Sequence, residues 1–227
     1  MRRKLHWFFN VFLSLFLSVA AGIPAIAAEI QATSTSDQTL HLPEDTEQIL
    51  DSLVLVQNGD ELGSGVLISP NGYLLTAAHV VKDEERVAVH LRSGQNLDGK
   101  VLRRDALLDL ALVKIPGRGL RSLPLQEAEP EEGQMVYGVG LLLEEQRLTY
   151  YITPGKALAQ PVRGLLRCDA DLPVGNSGGP FLNERGEVVG LIAWKVYSKK
   201  DQATTSYGAD VASLRKFLRG GAPRISG

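Results

Sequence analysis

An all-β fold in two halves, closed by one short helix, is what this sequence predicts. Three observations carry the prediction. Short apolar runs recur from about residue 50 onward with turn residues between them. A central stretch, 117–133, interrupts them with Gly117, Gly119, Pro124, Pro130 and Gly133. A single helical period stands near the C-terminus.

In the first half, strands are expected at Leu53 to Gln57, Ser64 to Ser69, Tyr73 to Thr76, Val87 to Leu91, Lys100 to Arg103 and Leu110 to Ile115. Turns at Asn58-Gly59-Asp60, Ser69-Pro70-Asn71-Gly72 and Ser93-Gly94 separate them, because Gly, Asn and Pro supply the backbone angles that tight reversals need. The acidic patch from Glu127 to Glu132 in the central stretch reads as a solvated loop. The second half repeats the texture at Met135 to Val139, Arg147 to Ile152, Lys156 to Ala159, Leu165 to Cys168, Pro180 to Leu182, Val188 to Val196 and Ser206 to Ala209, with a hairpin turn at 184–187. From Asp210 to Leu218 the apolar residues Val211, Leu214, Phe217 and Leu218 share one helical face. Asp210 can cap the start and basic Arg215, Lys216 and Arg219 suit the end.

Composition narrows the class. The 227 residues are 44% hydrophobic and 22% charged, near the globular average, which excludes a disordered chain, a collagen or a multi-span membrane protein. Twenty-four basic against 26 acidic residues leave a net charge of -2, so nucleic acid is not an expected partner. One cysteine, Cys168, permits no internal disulfide and no CxxC site, and it reads as a small core residue.

Residues 1–27 read as an export signal: Arg2, Arg3 and Lys4, then an apolar stretch from Trp7 to Ile23, then Ala25-Ile26-Ala27 as a cleavage site. Cleavage there leaves 200 residues. Three of the 24 basic and none of the 26 acidic residues lie in the segment, so the mature charge becomes -5. The alternative is an uncleaved anchor, and only then would a membrane be a partner. Either way the expected location is a periplasm or the cell exterior. The polar stretch 28–48 reads as an N-terminal arm, ahead of a domain spanning 49–219.

Chemistry-bearing residues gather in three places. In Gly175-Asn176-Ser177-Gly178-Gly179-Pro180, bare glycines flank a serine, as a nucleophile with inward-pointing backbone amides requires. In Thr76-Ala77-Ala78-His79-Val80-Val81, small residues at a strand end present an imidazole that can serve as general base. The other mature histidines are His41, in the arm, and His90, alternating within a strand. In Asp109-Leu110-Ala111-Leu112-Val113-Lys114-Ile115, a carboxylate enters an apolar strand, where an imidazole would be a suitable partner; Asp105 is the competing carboxylate.

These blocks, in the order His79, Asp109, Ser177 and together with Gly63-Ser64-Gly65-Val66-Leu67-Ile68-Ser69-Pro70-Asn71-Gly72-Tyr73-Leu74, resemble the trypsin-like serine proteases of the HtrA (Deg) type. The resemblance covers roughly Leu53 to Leu218 and includes Asp169, eight residues before the serine. It implies two packed six-stranded antiparallel β-barrels of the chymotrypsin kind, with barrel one at about 49–116, a linker at about 117–133, barrel two at about 134–209 and a helix at 210–218. It also implies a His79–Asp109–Ser177 triad, an oxyanion hole from the amides of Gly175 and Ser177, and no metal or cofactor. Protein or peptide substrates would bind in the cleft between barrels.

The departures matter as much. The family usually adds a PDZ domain after the helix, and this sequence is expected to be a protease domain without one. Its usual G-N-P segment is replaced by Gly138-Val139-Gly140-Leu141-Leu142-Leu143-Glu144. Asp171, six residues before Ser177, falls where the resemblance puts the base of the primary pocket, which would favour Lys or Arg before the scissile bond, with a preference for small or aliphatic residues as the alternative. Ala193 and Trp194 line that pocket by the same resemblance, and Lys195 follows them, able either to pair with Asp171 or to obstruct the entrance. The expected activity is an exported serine endopeptidase working through an acyl-enzyme. The alternative is a catalytically silent, protease-like peptide-binding domain. An esterase elbow is excluded, because no histidine follows Ser177.

Overall fold

The structure is a computed structural model that describes residues 29–32, 45–144, 147–160 and 162–220. The export signal expected at 1–27, most of the polar arm, and His41 lie outside the described residues. The first half is a closed six-stranded barrel of β2 (Leu53–Asn58), β3 (Glu61–Leu67), β4 (Tyr73–Thr76), β7 (Leu110–Lys114), β6 (Asn96–Asp105) and β5 (Arg86–Leu91), antiparallel throughout and ordered 2-3-4-7-6-5. The second half is a seven-stranded sheet in the order β1 (Glu29–Ala32), β9 (Arg147–Lys156), β8 (Met135–Glu144), β11 (Pro180–Leu182), β12 (Val188–Ser198), β13 (Ala203–Asp210) and β10 (Leu165–Cys168). Its ends meet. Ala157, just past β9, bridges Cys168 of β10, and Leu158 N–H donates to the Arg167 carbonyl at 2.9 Å, so six antiparallel strands come round to a second barrel.

The strands read as continuous apolar runs because both of their faces are buried. In β2, Val54 and Val56 point into barrel one, while Leu53 and Leu55 point at barrel two. The same division sets Leu74 against Leu75 in β4, and Ala111 and Val113 against Leu110 and Leu112 in β7. Across the interface these meet Tyr137, Val139, Leu141, Tyr150 and Ile152 from β8 and β9. Each fully buried Val or Leu contributes about 1.5–3 kcal/mol of transfer free energy, and the shared layer makes one unit of two barrels. A separate cluster of Val136, Leu166, Cys168, Phe181, Val189 and Ile192 fills barrel two. Cys168 is the core residue expected of it: burial pushes its thiol up to about 12.

Four elements differ from what the sequence leads one to expect. Part of the polar arm, β1, pairs in parallel with β9. A helix, α1 (Thr46–Ser52), precedes the barrel; Asp45 caps it through Gln48 N–H, and Ile49 and Leu50 are buried. The short α2 (Ala78–Val81) turns the chain at His79. The strand expected at Lys156 to Ala159 is instead the tail of β9, running on into the bridge to β10. The closing helix α3 (Val211–Arg219) is capped by Asp210 through Ser213 N–H at 2.8 Å, as its sequence indicates. Arg215 on α3 donates to the carbonyls of Leu125 at 3.0 Å and Gln126 at 3.1 Å, fastening the linker whose glutamates 127, 129, 131 and 132 face solvent.

Candidate active site

Asp109 sits in the turn immediately before β7 at φ +54°, a left-handed conformation that aspartate tolerates better than most residues. That conformation aims three acceptors at α2. The Asp109 carbonyl accepts from Ala78 N–H at 3.1 Å, Oδ1 accepts from His79 N–H at 2.9 Å, and Oδ2 lies 2.6 Å from His79 Nδ1. The imidazole is therefore fixed from two directions, with Nδ1 committed to the carboxylate and Nε2 left as the ring nitrogen that takes no part in that contact. Hydrogen bonding to Asp109 raises the His79 pKa above its ordinary 6.5; partial burial opposes this, and the charges of Asp109 and, least, Glu61 add to it. Asp105 serves the backbone instead, where its Oδ1 accepts from Leu107 and Leu108 N–H, both at 3.0 Å, and shapes the turn that delivers Asp109. His90 is buried in β5 beside Gln57, 3.0 Å away, and burial lowers its pKa. It plays no part at this site.

Ser177 lies in the loop between β10 and β11. Gly175 and Gly178 take φ +97° and +84° there, angles that glycine adopts without strain. The loop is pinned to β12 by Gly178 N–H to the Ile192 carbonyl and Ile192 N–H to the Gly179 carbonyl, both 2.8 Å. It abuts barrel one so closely that a Cβ on Gly178 would lie 2.7 Å from the Ala77 nitrogen, two residues before His79. All three expected residues thus converge on the seam between barrels. The Ser177 hydroxyl donates to the Ala193 carbonyl at 3.1 Å, which places Ala193 directly against the serine.

Asp171 is not a free carboxylate at a pocket base. Its side chain is 68% exposed and pairs with Lys195, Nζ to Oδ1 2.8 Å; the same ammonium donates to the Leu172 carbonyl at 2.7 Å. Of the two arrangements the sequence leaves open for Lys195, pairing with Asp171 or obstructing the entrance, the pairing is the one the structure holds. The lysine that follows Ala193 and Trp194 reaches across to that charge. Trp194 stands exposed and stacks on Tyr207, ring centroids 5.8 Å apart. Asp169 is structural, its Oδ1 accepting from Lys156 N–H at 2.6 Å.

Sequence reasoning does not single out Ser64 from its Gly-Ser-Gly setting, yet it is fully buried and binds the serine loop at two points. Its N–H donates to the Ser177 carbonyl at 2.9 Å, and its hydroxyl reaches the Gly175 carbonyl at 3.1 Å. A buried hydroxyl between two glycines in an apolar strand is the only signal the sequence offers of it. The segment Gly138 to Glu144 also finds its place. Leu141 is core, and Leu142 lies over Gly175, where a Cβ would overlap its Cδ2. Among the described residues no group of three or more metal-ligating side chains gathers.

Residues 63–191 match the family described as trypsin-like peptidase domain. Among curated proteins, the chain is similar to serine protease HTRA2, mitochondrial, of Bos taurus, 31% identical over 94% of this chain and 51% of that protein. It is also similar to a "probable periplasmic serine endoprotease DegP-like" of Ectopseudomonas mendocina, 34% identical over 60% of this chain and 30% of that one. Among solved structures it resembles a serine endoprotease from Yersinia pestis, with a TM-score of 0.66 and 28% identity over 80% of this chain and 69% of that chain. The chain spans about half the length, or less, of the curated relatives it matches.

Proposed function

Because the chain belongs to the trypsin-like peptidase family, in its HtrA type, we propose that it is a serine endopeptidase with Ser177 as nucleophile, His79 as general base and Asp109 as the group that orients it. The observation that carries this is the three-acceptor clasp of Asp109 on Ala78 and His79, set beside the glycine-rich serine loop. With Nδ1 protonated and bound to Asp109, Nε2 keeps the lone pair that takes the Ser177 proton as Oγ attacks a peptide carbonyl. The amides of Gly175 and Ser177 hold the resulting oxyanion. His79 then gives the proton to the leaving amine, the C–N bond breaks, and water, activated by the same imidazole, releases the acyl group as a carboxylic acid.

The Ser177 bond to the Ala193 carbonyl favours one second reading, a silent peptide-binding domain whose hydroxyl is diverted. Rotation about the serine Cα–Cβ bond, a picosecond-to-nanosecond event for side chains with room to move, would release the hydroxyl from that carbonyl. Fluorophosphonate labelling decides between them. We expect covalent labelling of Ser177 and cleavage of an unfolded protein; wild type left unlabelled, under conditions that label trypsin, would establish the silent domain.

Export through the segment 1–27 to a periplasm or the exterior belongs to the same proposal. The basic start, the apolar stretch and the Ala-x-Ala site support it, with a retained anchor as the alternative. Specificity follows from Lys195. With the Asp171 charge met by an ammonium, the site is expected to disfavour Lys and Arg before the scissile bond and to take small or aliphatic residues. An exposed pair is worth about 1 kcal/mol or less, but Lys195 also repels a cationic side chain. Lys195→Ala is therefore expected to raise kcat/KM for Lys over Ala at that position by about tenfold, and Asp171→Ala to leave the wild-type preference in place. A peptide-library profile unchanged by Lys195→Ala would refute this.

A further inference from the structure

We propose that Ser64 is a positioning residue for the oxyanion loop, the strut by which barrel one holds the Gly175–Asn176 and Ser177–Gly178 peptide units, which lie on either side of the unit that carries the Ser177 amide. The proposal rests on the serine endopeptidase reading and deepens it.

Ser64 grips the loop at both ends. Its N–H binds the carbonyl of Ser177 and its hydroxyl binds the carbonyl of Gly175, so residues 175–177 are held from one side chain and its own backbone. The grip is itself braced. Ser64 Oγ accepts from Leu141 N–H at 2.9 Å, which ties it to β8, and its carbonyl accepts from Thr76 Oγ1 at 2.7 Å, which ties it to the strand leading to His79. The single hydroxyl proton points between the Gly175 carbonyl and the more distant Leu141 carbonyl at 3.3 Å. Every group on this residue is thus engaged, at full burial.

The loop has few other polar holds on barrel one. The Asn176 side chain is buried against Gly140, and its Oδ1 and Nδ2 have no hydrogen-bond partner among the described residues. Within the loop, Gly179 N–H donates to the Asn176 carbonyl at 2.9 Å and so orients the peptide unit that carries the Ser177 amide. The Gly175–Asn176 peptide unit is oriented through its carbonyl, by Ser64. Leu142 covers Gly175 from the other side by packing alone. An amide that must face developing charge gains its catalytic value from being fixed beforehand, and Ser64 fixes the peptide units on both sides of the one that carries the Ser177 amide, the first of them following directly on Gly175. A loss of position of about 1 Å at such a group costs on the order of a hundredfold in rate.

The test is Ser64→Ala, assayed with a peptide substrate and with a peptide boronate, whose tetrahedral adduct carries charge at the oxyanion site. We expect kcat to fall ten- to hundredfold with KM within twofold, and boronate affinity to fall in step with kcat. Affinity for an uncleaved peptide, measured in a Ser177→Ala background, should hold. Ser64→Cys keeps the volume and replaces a strong donor with a weak one; it should show the same split at smaller amplitude, and it serves if the alanine variant does not fold. Rates are compared per folded molecule by near-ultraviolet circular dichroism. An active wild type whose Ser64 variants lose kcat and peptide affinity in equal proportion, or lose neither, overturns the positioning role alone. A wild type that neither cleaves peptide nor binds boronate overturns the endopeptidase reading and this proposal with it.

Discussion

Asp109→Asn is expected to lower kcat about 10,000-fold near neutral pH, with the fold intact. The magnitude follows from the number of acceptors the position must supply. Asp109 accepts at both carboxylate oxygens, from the His79 backbone N–H and from His79 Nδ1. An asparagine has one acceptor and one donor, so one of the two bonds is mismatched. The backbone N–H cannot change character and keeps the oxygen; the NH2 group then faces Nδ1. Nδ1 must become the acceptor, and the imidazole proton moves to Nε2, the nitrogen that has to receive the proton of Ser177. The base is present and in place, but in the wrong tautomer.

The pH profile carries a second mark of the same bond. The hydrogen bond to Asp109 is the first cause of the raised His79 pKa, so wild-type kcat/KM should rise with pH through a midpoint above 6.5. In Asp109→Asn that acid limb should move to lower pH. Stability runs the other way. A folded-state pKa above the unfolded one stabilises the protonated form, a contribution present in full below the unfolded value and lost as pH rises through the folded one. Acid inactivation of the wild type is therefore loss of the base and not release of the His79–Asp109 contact. A loss in Asp109→Asn smaller than tenfold, or an acid limb that stays where the wild type has it, would contradict the assigned role.

How much of the molecule is legible in the sequence depends on how many faces each segment buries. β2 and β7 show their apolar runs openly because the barrel takes one face and the barrel–barrel layer the other. β6, expected only at Lys100 to Arg103, runs from Asn96 to Asp105; it buries only Gly99 and Val101 and shifts register between Val101 and Arg103, so its pattern carries little signal. α1 does have a signature, Asp45 three residues before Gln48, but it lies in a stretch whose polarity argues for a loose arm. Parallel pairing of β1 with β9 depends on a partner more than a hundred residues away, which no local pattern reports. The same contrast holds at the site. Asp109, His79 and Ser177 are named by reactive groups in bare surroundings. Ser64 acts through its own backbone and one hydroxyl, inside a strand whose neighbours say only that it is buried. Asp105 and Asp109 are close rivals by position, and what separates them is a backbone angle: the first turns the chain, the second sits at φ +54° with its acceptors aimed at α2.

Gly178→Ala should cost about 3 kcal/mol of stability and lower the melting temperature by about 6–12 °C, with residual activity under a hundredth of wild type. Two separate effects add. At φ +84° an alanine takes a left-handed backbone, which costs roughly 1–2 kcal/mol. Its Cβ would also lie 2.7 Å from the Ala77 nitrogen and nearer still to the Ser64 carbonyl oxygen, and these are backbone atoms of β3 and of the residue that directly follows β4. Overpacking against a wall that cannot yield costs about another 1–3 kcal/mol. The only relief is for the serine loop to retreat from barrel one, and that carries Ser177 away from His79 and strains the bonds from Ser64. Stability and rate should therefore fall together here. Gly59→Ala isolates the first effect: φ is +59°, and nothing lies within 4 Å of the added methyl, so only the left-handed cost remains and activity should be unchanged. The two variants compared by thermal melting and steady-state kinetics divide the loss into backbone strain and overlap at the seam. A Gly178→Ala protein that melts with Gly59→Ala and keeps its rate would mean that the loop has room to spare, and that close approach of the two barrels at residue 178 is not what sets the serine in position.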